Sequence, residues 1–583
     1  MAVGARWARP EIVALPHAVS AQSPKPRVAQ YFWAIVSTAT PKVSLVHVTL
    51  FQPESADSAR VLERETRVTK SPPPVRRLDT ARRLAILIVL YSIPASAVMQ
   101  PVGDFDIWWH VRTGQWIVEE VAVPLTDHFS SFGHGKPWVA YSWLFEVLVH
   151  GLYTWLGLYG ILLYRAVLVF AVAVAVHRFV AKREPRFLVA TVLVALAFWA
   201  FAPLMTERPW LFTLLFFTLT LGAILDLRAG RHRVWVWVLP VLYALWANLH
   251  IQFIYGLFVL GLACAAPVLD RLLGRGESGL HADSAGTRDW WQLVALSLAC
   301  GAATLINPYH MRLYTVVLDY ATQPAAFQLV NEARAMDFRG TVDWIVLGLA
   351  GSAAFALGRR RRLSAFEALL LASAAYFSFH TQRDLWFVLL AAMAILTAEP
   401  CFPGFFIERF PLTRQRLAAL AMGVVLVIGA TSWRRNLSPS RLDLAIVEKF
   451  PARAADYVED HDLEGPLYNH FDWGGYLIWR LPHLKVAIDG RTNLHRDERL
   501  LRSVETWAGE RGWDSDPELR AAKVVIASAK GPLASLLRLH EGFNLVYEDC
   551  LAAVFVATPD RSGRAPAEEP SGARATNLDA AMR

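Results

Sequence analysis

Acidic side chains and a histidine crowd one polar, tryptophan-rich stretch, residues 103–146. Asp104 and Asp106 stand two apart, His110 follows four residues later, and Asp127 closes a Pro-Leu-Thr-Asp turn. An apolar segment precedes the stretch, so these groups sit at a hydrocarbon boundary, where an ionisable side chain needs a partner or a task. A carboxylate placed there can take a proton from an acceptor hydroxyl while a neighbour holds it in position. The competing reading is a wet interfacial loop whose tryptophans anchor at headgroup level and whose acids are solvated.

The elements that must position this loop are apolar. The chain has 583 residues, 55% of them hydrophobic and 22 of them tryptophan, with a mean hydropathy of +0.32. That composition excludes an ordinary soluble enzyme and indicates a polytopic membrane protein. The net charge of +8 is carried by arginines in short runs between apolar stretches. Such runs set membrane orientation, so nucleic acid is not expected as a partner. The cysteines show neither a disulfide arrangement nor CxxC or zinc spacing.

Eleven spans are expected, at 84–99, 158–180, 187–204, 210–227, 234–248, 253–273, 290–306, 344–357, 363–379, 385–398 and 417–432. Arg76, Arg77, Arg82 and Arg83 precede the first and keep that end cytoplasmic, which puts the acidic loop outside. Five basic loops then fall on the cytoplasmic side: Lys182/Arg183/Arg186, Arg228/Arg231/Arg233, Arg271/Arg275/Arg288, residues 359–362, and Arg409/Arg414/Arg416. Residues 141–155 are apolar but carry Ser142, Glu146 and His150 at a spacing of four, one polar stripe on a helix. A twelfth span there would put every later basic loop outside, so the segment is read as an amphipathic helix on the outer surface.

The expected domains are a disordered N-terminal extension, 1–80; a transmembrane domain, 81–433, with its first outer loop at 103–157; an extracytoplasmic α/β domain, 438–557; and a disordered tail, 558–583. In the α/β domain, short strands at 466–469, 485–488, 523–527, 543–547 and 552–556 alternate with helices at 452–460, 475–481, 497–508 and 532–539.

The other polar residues at the outer span ends are Glu207 and Arg208 in TERPW, Asn248, His250 and Gln252 in WANLHIQF, Asn307 and His310 in INPYH, Glu332 and Asp337, then His380, Arg383 and Asp384. Each has a structural reading: Arg208 can snorkel to headgroups, Asn307-Pro308 can end a helix, and His250 can pack. Together they describe carboxylates, imidazoles and arginines converging on a cleft suited to a phosphate- or sugar-bearing substrate, with Arg the better phosphate ligand. The candidate site is therefore Asp104, Asp106 and His110 for chemistry, with Asp127, Glu146, Arg208, Asn248, His250, Asn307, His310 and Arg383 for substrate. GRGESG at 274–279 fits a dinucleotide pattern but follows no strand, and Asn436-Leu-Ser438 is a bare glycosylation sequon. NHFDWGGY at 469–476 and IDGR at 488–491 are strand-to-turn signatures with glycine where the backbone turns tightly; they are read as structural ahead of sugar-binding.

The outer loop, GDFDIWWHVRTGQWIVEE with PLTDHFSSF and PWVAYSWLFEVL, resembles bacterial members of the GT-C glycosyltransferase superfamily, which includes protein mannosyltransferases and lipid A aminoarabinose transferases. WANLHIQFIYG, LINPYHMRLY, WGGYLIW and KVAIDGR are similar to the branch whose loop reads DxDxWWHxxTG. The resemblance spans 84–556 and implies a GT-C-like fold in the inner membrane, with the N-terminus cytoplasmic and the C-terminal domain outside. It implies transfer of a sugar from a polyprenyl-phosphate donor to an extracytoplasmic glycan, lipid or protein acceptor. By that resemblance an Asp of Asp104-Phe-Asp106 is the catalytic carboxylate. Asp104 is taken as base, Asp106 and His110 as orienting or metal-binding partners, and Arg208 with His250 as neighbours of the donor phosphate. Relatives carry adjacent acids such as Asp-Glu, so the intervening Phe105 leaves open which Asp acts. A divalent metal is optional and would polarise the phosphate. Two other classes remain: a transporter or lipid flippase, which expects ionisable residues near mid-membrane and broken helices in repeated halves, whereas no repeat is seen and the span centres are nearly free of acids, and a non-catalytic scaffold working through its C-terminal domain.

Overall fold

The structure is a computed structural model that describes residues 79–231, 234–273, 287–360, 363–398, 413–435 and 437–558. The expected extension and tail lie outside these residues except at their inner edges, as do the 274–279 motif, Asn436 of the sequon, and Arg233, Arg275, Arg361, Arg362 and Arg409 of the basic loops.

The membrane part contains α1 (Thr80–Val98), α2 (Ile107–Glu120), α3 (Trp143–Leu156), α4 (Leu158–Ala181), α5 (Phe187–Phe201), α6 (Trp210–Arg228), α7 (Trp235–Leu249), α8 (Phe253–Leu272), α9 (Thr287–Ala303), α10 (Arg312–Ala321), α11 (Pro324–Leu329), α12 (Thr341–Gly358), α13 (Ala365–His380), α14 (Leu385–Leu396) and α15 (Arg414–Arg435). Among the described residues seven helices are long and apolar enough to cross a membrane: α1, α4, α5 with its 3-10 continuation to Leu204, α6, α8, α12 and α15. Helices α7, α9 and α13 are shorter apolar helices. The chain is a multi-pass membrane protein, and Trp237, Leu298, Phe355 and Leu426 stand exposed on its flanks, as a lipid-facing surface requires.

Each apolar stretch read from the sequence coincides with a helix, but two differ in character from the expectation. Helix α14 has 12 residues, all buried. At ~1.5 Å per residue it is too short to cross ~30 Å of hydrocarbon, and surrounding helices rather than lipid shield it. In α3 the polar stripe turns inward: Glu146 is buried while Trp155 and Leu156 are exposed. The cause is close packing on α2, where a Cβ on Gly114 would lie 2.0 Å from the Glu146 carbonyl oxygen.

The first and last spans pair at the periphery, with Ala85 and Ile86 packed against Leu417 and Ala421. Asp79 caps α1 by accepting from the Arg82 amide at 3.0 Å and takes Arg414 Nε at 2.9 Å.

The C-terminal domain follows as α16 (Pro439–Lys449), α17 (Ala452–Asp460), β1 (Leu467–Asn469), α18 (Gly474–Arg480), α19 (Thr492–Ala508), α20 (Pro517–Ala521), β2 (Val524–Ser528), α21 (Pro532–Leu537), β3 (Phe543–Glu548) and β4 (Ala552–Ala557). Its sheet has the order β1-β2-β4-β3, with β1 parallel to β2 and the other pairs antiparallel. The strand expected at 485–488 does not form a ladder: Val486 makes single bridges to Leu467 and to Ser130 of the outer loop. One apolar cluster runs from the spans through Trp108 and Trp138 into Leu477 and Val486, so the two parts share a core.

Candidate active site

Arg208 is the centre of the acidic loop's contacts. It lies in the turn before α6, and its Nε donates to Asp104 Oδ2 at 2.6 Å. Nη1 reaches Asp106 Oδ2 at 2.8 Å and Glu332 Oε1 at 2.9 Å. The Asp106 amide donates to Asp104 Oδ1 at 2.8 Å, fixing the two acids relative to each other. Arg383 Nη1 stands 3.9 Å from Glu332, and its Nε is buried with no hydrogen-bond partner. The cluster is thus three carboxylates around one guanidinium, with a second guanidinium loosely attached.

The acids differ in environment. The Asp104 side chain is 7% exposed and Asp106 17%. Burial raises the Asp106 carboxyl to about 7, with the Asp104 and Glu332 charges adding to the rise and Arg208 and Trp109 opposing it. Such a group is divided between acid and base near neutral pH.

Glu207, beside Arg208, anchors the approach to this loop. It takes Arg165 Nη1 of α4 at 2.5 Å, and the same guanidinium donates to the carbonyls of Val98 at 2.9 Å, Gln100, and Pro101 at 3.4 Å. A helix end leaves its last carbonyls without partners, and Arg165 satisfies one of them at the end of α1. Glu207 and Arg208 therefore fix, respectively, the entry to the acidic loop and its two acids.

The remaining candidates divide into three groups. His110 Nδ1 meets Glu146 Oε1 at 3.2 Å between α2 and α3. Burial lowers the imidazole and raises the carboxyl, so both are neutral and share a hydrogen bond rather than an ion pair. His250 Nδ1 meets Thr213 Oγ1 at 2.8 Å; burial, reinforced by Arg383 and Arg208, lowers it to about 3, again neutral. Its ring faces Tyr141 at 6.4 Å, and the Tyr141 hydroxyl meets that of Tyr320 at 3.2 Å.

Asp127 is away from the cluster. It accepts from Ser130 Oγ at 2.5 Å and from Arg491 Nη1 of the C-terminal domain at 2.6 Å, while Arg491 Nη2 holds Asp489 at 2.7 Å. Asn248, Asn307 and His310 brace backbone instead of entering the cluster. Asn248 joins Trp143 Nε1 and the Ile306 carbonyl, both at 2.7 Å. Asn307 closes its turn on the Tyr309 amide at 2.8 Å, and His310, exposed and at φ +48°, meets the Leu305 carbonyl at 3.0 Å.

Glu332 was legible only as a polar residue at an outer turn, and its bridging place depends on packing. Arg165 had a signal: a lone arginine within an apolar span is costly unless paired. The IDGR glycine has a different reason from the expected tight turn. Gly490 is not among the positive-φ glycines; it lies so close to the acidic loop that a Cβ would come 1.9 Å from Asp106 Oδ1. The residues present do not fit a divalent ion. Among the described residues no three of His, Cys, Asp and Glu gather as metal ligands, and the carboxylates that do meet surround a guanidinium whose charge repels a cation.

No family model matches the chain, and no curated protein matches it. Among solved structures it matches several at low sequence identity. One is the archaeal oligosaccharyltransferase AglB from Archaeoglobus fulgidus, in complex with an inhibitory peptide and a dolichol-phosphate, at a TM-score of 0.46 and 10% identity over 77% of this chain and 69% of that one. Another is ArnT from Cupriavidus metallidurans bound to undecaprenyl phosphate, at a TM-score of 0.40 and 14% identity over 82% of this chain and 98% of that one.

Proposed function

We propose that this chain is an integral-membrane glycosyltransferase that moves a sugar from a polyprenyl-phosphate donor to an acceptor hydroxyl outside the cytoplasmic membrane. The observation that carries the reading is the largely buried Asp106 carboxylate, raised to about 7 and held beside Asp104, Arg208 and Glu332 at the end of the spans. The DxDxWWHxxTG resemblance of the same loop agrees with it.

In this mechanism Asp106 takes the acceptor proton as the acceptor oxygen attacks the anomeric carbon. The bond from that carbon to the lipid phosphate oxygen breaks, and the phosphate leaves with the electron pair. Arg383, with an unpartnered Nε, receives the developing phosphate charge. Two features favour Asp106 over Asp104 as base: it is the more exposed, and Asp104 is committed to Arg208 Nε and to the Asp106 amide. His250, neutral, donates a hydrogen bond to the phosphate, and the acceptor is a glycan, lipid or protein. Residues 1–80 lie on the cytoplasmic side and the acidic loop and residues 438–557 outside.

The test is turnover of purified protein in lipid nanodiscs with a panel of undecaprenyl-phosphate-linked hexoses. Release of lipid phosphate by the wild type, abolished in Asp106→Asn and reduced in Asp104→Asn, supports the reading. The reverse order of the two variants returns the base to Asp104. No release with any donor, and envelope glycans unchanged in cells carrying either variant, refutes the transferase reading. Accessibility of single cysteines at Leu539 and Arg178 to a membrane-impermeant reagent tests the orientation: labelling is expected at 539 and absent at 178.

A further inference from the structure

The C-terminal domain reaches the Gly103–Asp106 segment of the acidic loop through Lys449, Phe450, Gly475 and Gly490. Lys449 Nζ donates to the Gly103 carbonyl and lies 4.2 Å from the centre of the Phe105 ring. Phe450 meets the same ring edge-on at 5.5 Å. Gly475 lies beneath the Phe105 carbonyl, where a Cβ would come to 2.7 Å of the oxygen and 3.1 Å of the Trp109 ring. Gly490 lies against Asp106 itself, with room for no side chain at all. On either side of Gly490, Asp489 and Arg491 are fastened together and to Asp127 of the outer loop, so the glycine cannot retreat.

These contacts give Phe105 a purpose. It turns to Lys449 and Phe450, while Asp104 and Asp106 both turn to Arg208. A residue between the acids that binds elsewhere is what allows two acids on one side of the chain to be held at fixed spacing.

We infer that the C-terminal domain is a positioning template for the acidic loop, with Phe105 as a peg seated on Lys449 and Phe450, and Gly490 as the stop against which the Asp106 carboxylate rests. Its consequence for turnover rests on the reading of Asp106 as base; the geometry does not. A stop of this kind sets the direction of the carboxylate lone pairs, and misplacement of ~1 Å in such a group is enough to lose about a hundredfold in rate. Lys449, Phe450, Gly475 and Gly490 act through Asp106 and are positioning residues.

The charged and titratable groups facing Asp106 are Asp104 on its own loop, Arg208 from the turn before α6 and Glu332 from the turn before α12, with Arg383, Tyr141 and Tyr320 beyond them. From the template side Asp489 and Arg491 are committed to one another and to Asp127. A shift in the titration of Asp106 on altering Gly490 therefore reports displacement of the carboxylate relative to Arg208, Asp104 and Glu332.

The experiment uses the full chain in nanodiscs and isolates the Asp106 titration by infrared difference between each background and its Asp106→Asn counterpart. Gly490→Ala is expected to move the midpoint by about half a pH unit or more. It should also lower kcat on an undecaprenyl-phosphate-linked hexose by about tenfold or more, with KM within about twofold. Phe105→Leu and Lys449→Met should shift the midpoint less but measurably, and they carry the test if Gly490→Ala does not fold. Lys523→Ala, an exposed position in the same domain, should leave both readouts unchanged. Midpoints that coincide with the wild type in all three variants overturn the template, as does a loss of turnover accompanied only by a lower melting temperature. A shifted midpoint in a protein whose wild type turns over no donor upholds the template and removes the transferase reading instead.

Discussion

Replacing Glu332 by Gln should move the acidic limb of the pH–rate profile downward. Glu332 and Asp106 each accept from Arg208 Nη1, at 2.9 and 2.8 Å. Their oxygens therefore lie within about 5.7 Å of one another, where two unit charges repel by ~3 kcal/mol at an effective dielectric of ~20 and by ~0.7 kcal/mol in water. The Glu332 side chain is 29% exposed, so an intermediate ~1.4 kcal/mol is appropriate, equivalent to about one pH unit. Removing that charge makes Asp106 easier to ionise, and the midpoint should fall from about 7 to about 6. The assay is kcat/KM against pH, which follows the free enzyme. At pH 6 the wild type should run at about a tenth of its plateau and Glu332→Gln at about half of its own. A midpoint that stays in place or rises refutes the electrostatic account of Asp106. A profile with no limb near 7 refutes its role as base.

Four further outcomes follow from the same contacts. Arg208→Ala leaves Asp104, Asp106 and Glu332 without their shared donor and should lower kcat by roughly a hundredfold or more; Arg208→Lys, unable to span three acids, should not restore it. Asp106→Asn should melt higher than the wild type at pH 8, with the difference narrowing as pH falls and closing only near pH 4. The raised Asp106 holds a proton in the folded chain that the unfolded chain releases between 3.8 and about 7, so wild-type stability falls as pH rises through that window. Arg491→Met strands two buried carboxylates and Asp127→Ala strands part of one guanidinium. Both should cost on the order of 3–5 kcal/mol in thermal or chemical unfolding, the arginine variant more. Chelation with EDTA should leave turnover within about twofold if, as proposed, Arg383 rather than a cation takes the phosphate charge.

The apolar helices were legible because their signal is local: a run of Leu, Val, Ala and Phe of sufficient length is a helix in lipid whatever surrounds it. For the same reason α14 has the sequence of a span, since composition does not distinguish a lipid-facing helix from one sheathed in protein. In the C-terminal domain, 485–488 has strand composition but no ladder, because Val486 divides its bridges between Leu467 and Ser130 of the outer loop. The acids, Arg208 and Arg383 stood out by type and place. What they touch did not, since Asp104 and Arg208 are 104 residues apart and Asp106 and Gly490 further still. Gly490 is the clearest case: a glycine in Asp-Gly-Arg reads as a turn, whereas its actual requirement is the space that a carboxylate from another part of the chain occupies.

The bond between Asp127 and Arg491 joins residues 364 positions apart. At ~5–20 residues per second of synthesis, the outer loop emerges roughly 20–70 s before its partner exists. During that interval Asp127 has no guanidinium, Phe105 no seat and Asp106 no stop. The acids acquire their final arrangement only after the chain has been made as far as Arg491. Assembly of the acid cluster is thereby tied to synthesis of the C-terminal domain, and a chain interrupted before that domain, however well its helices insert, carries the acids without this arrangement.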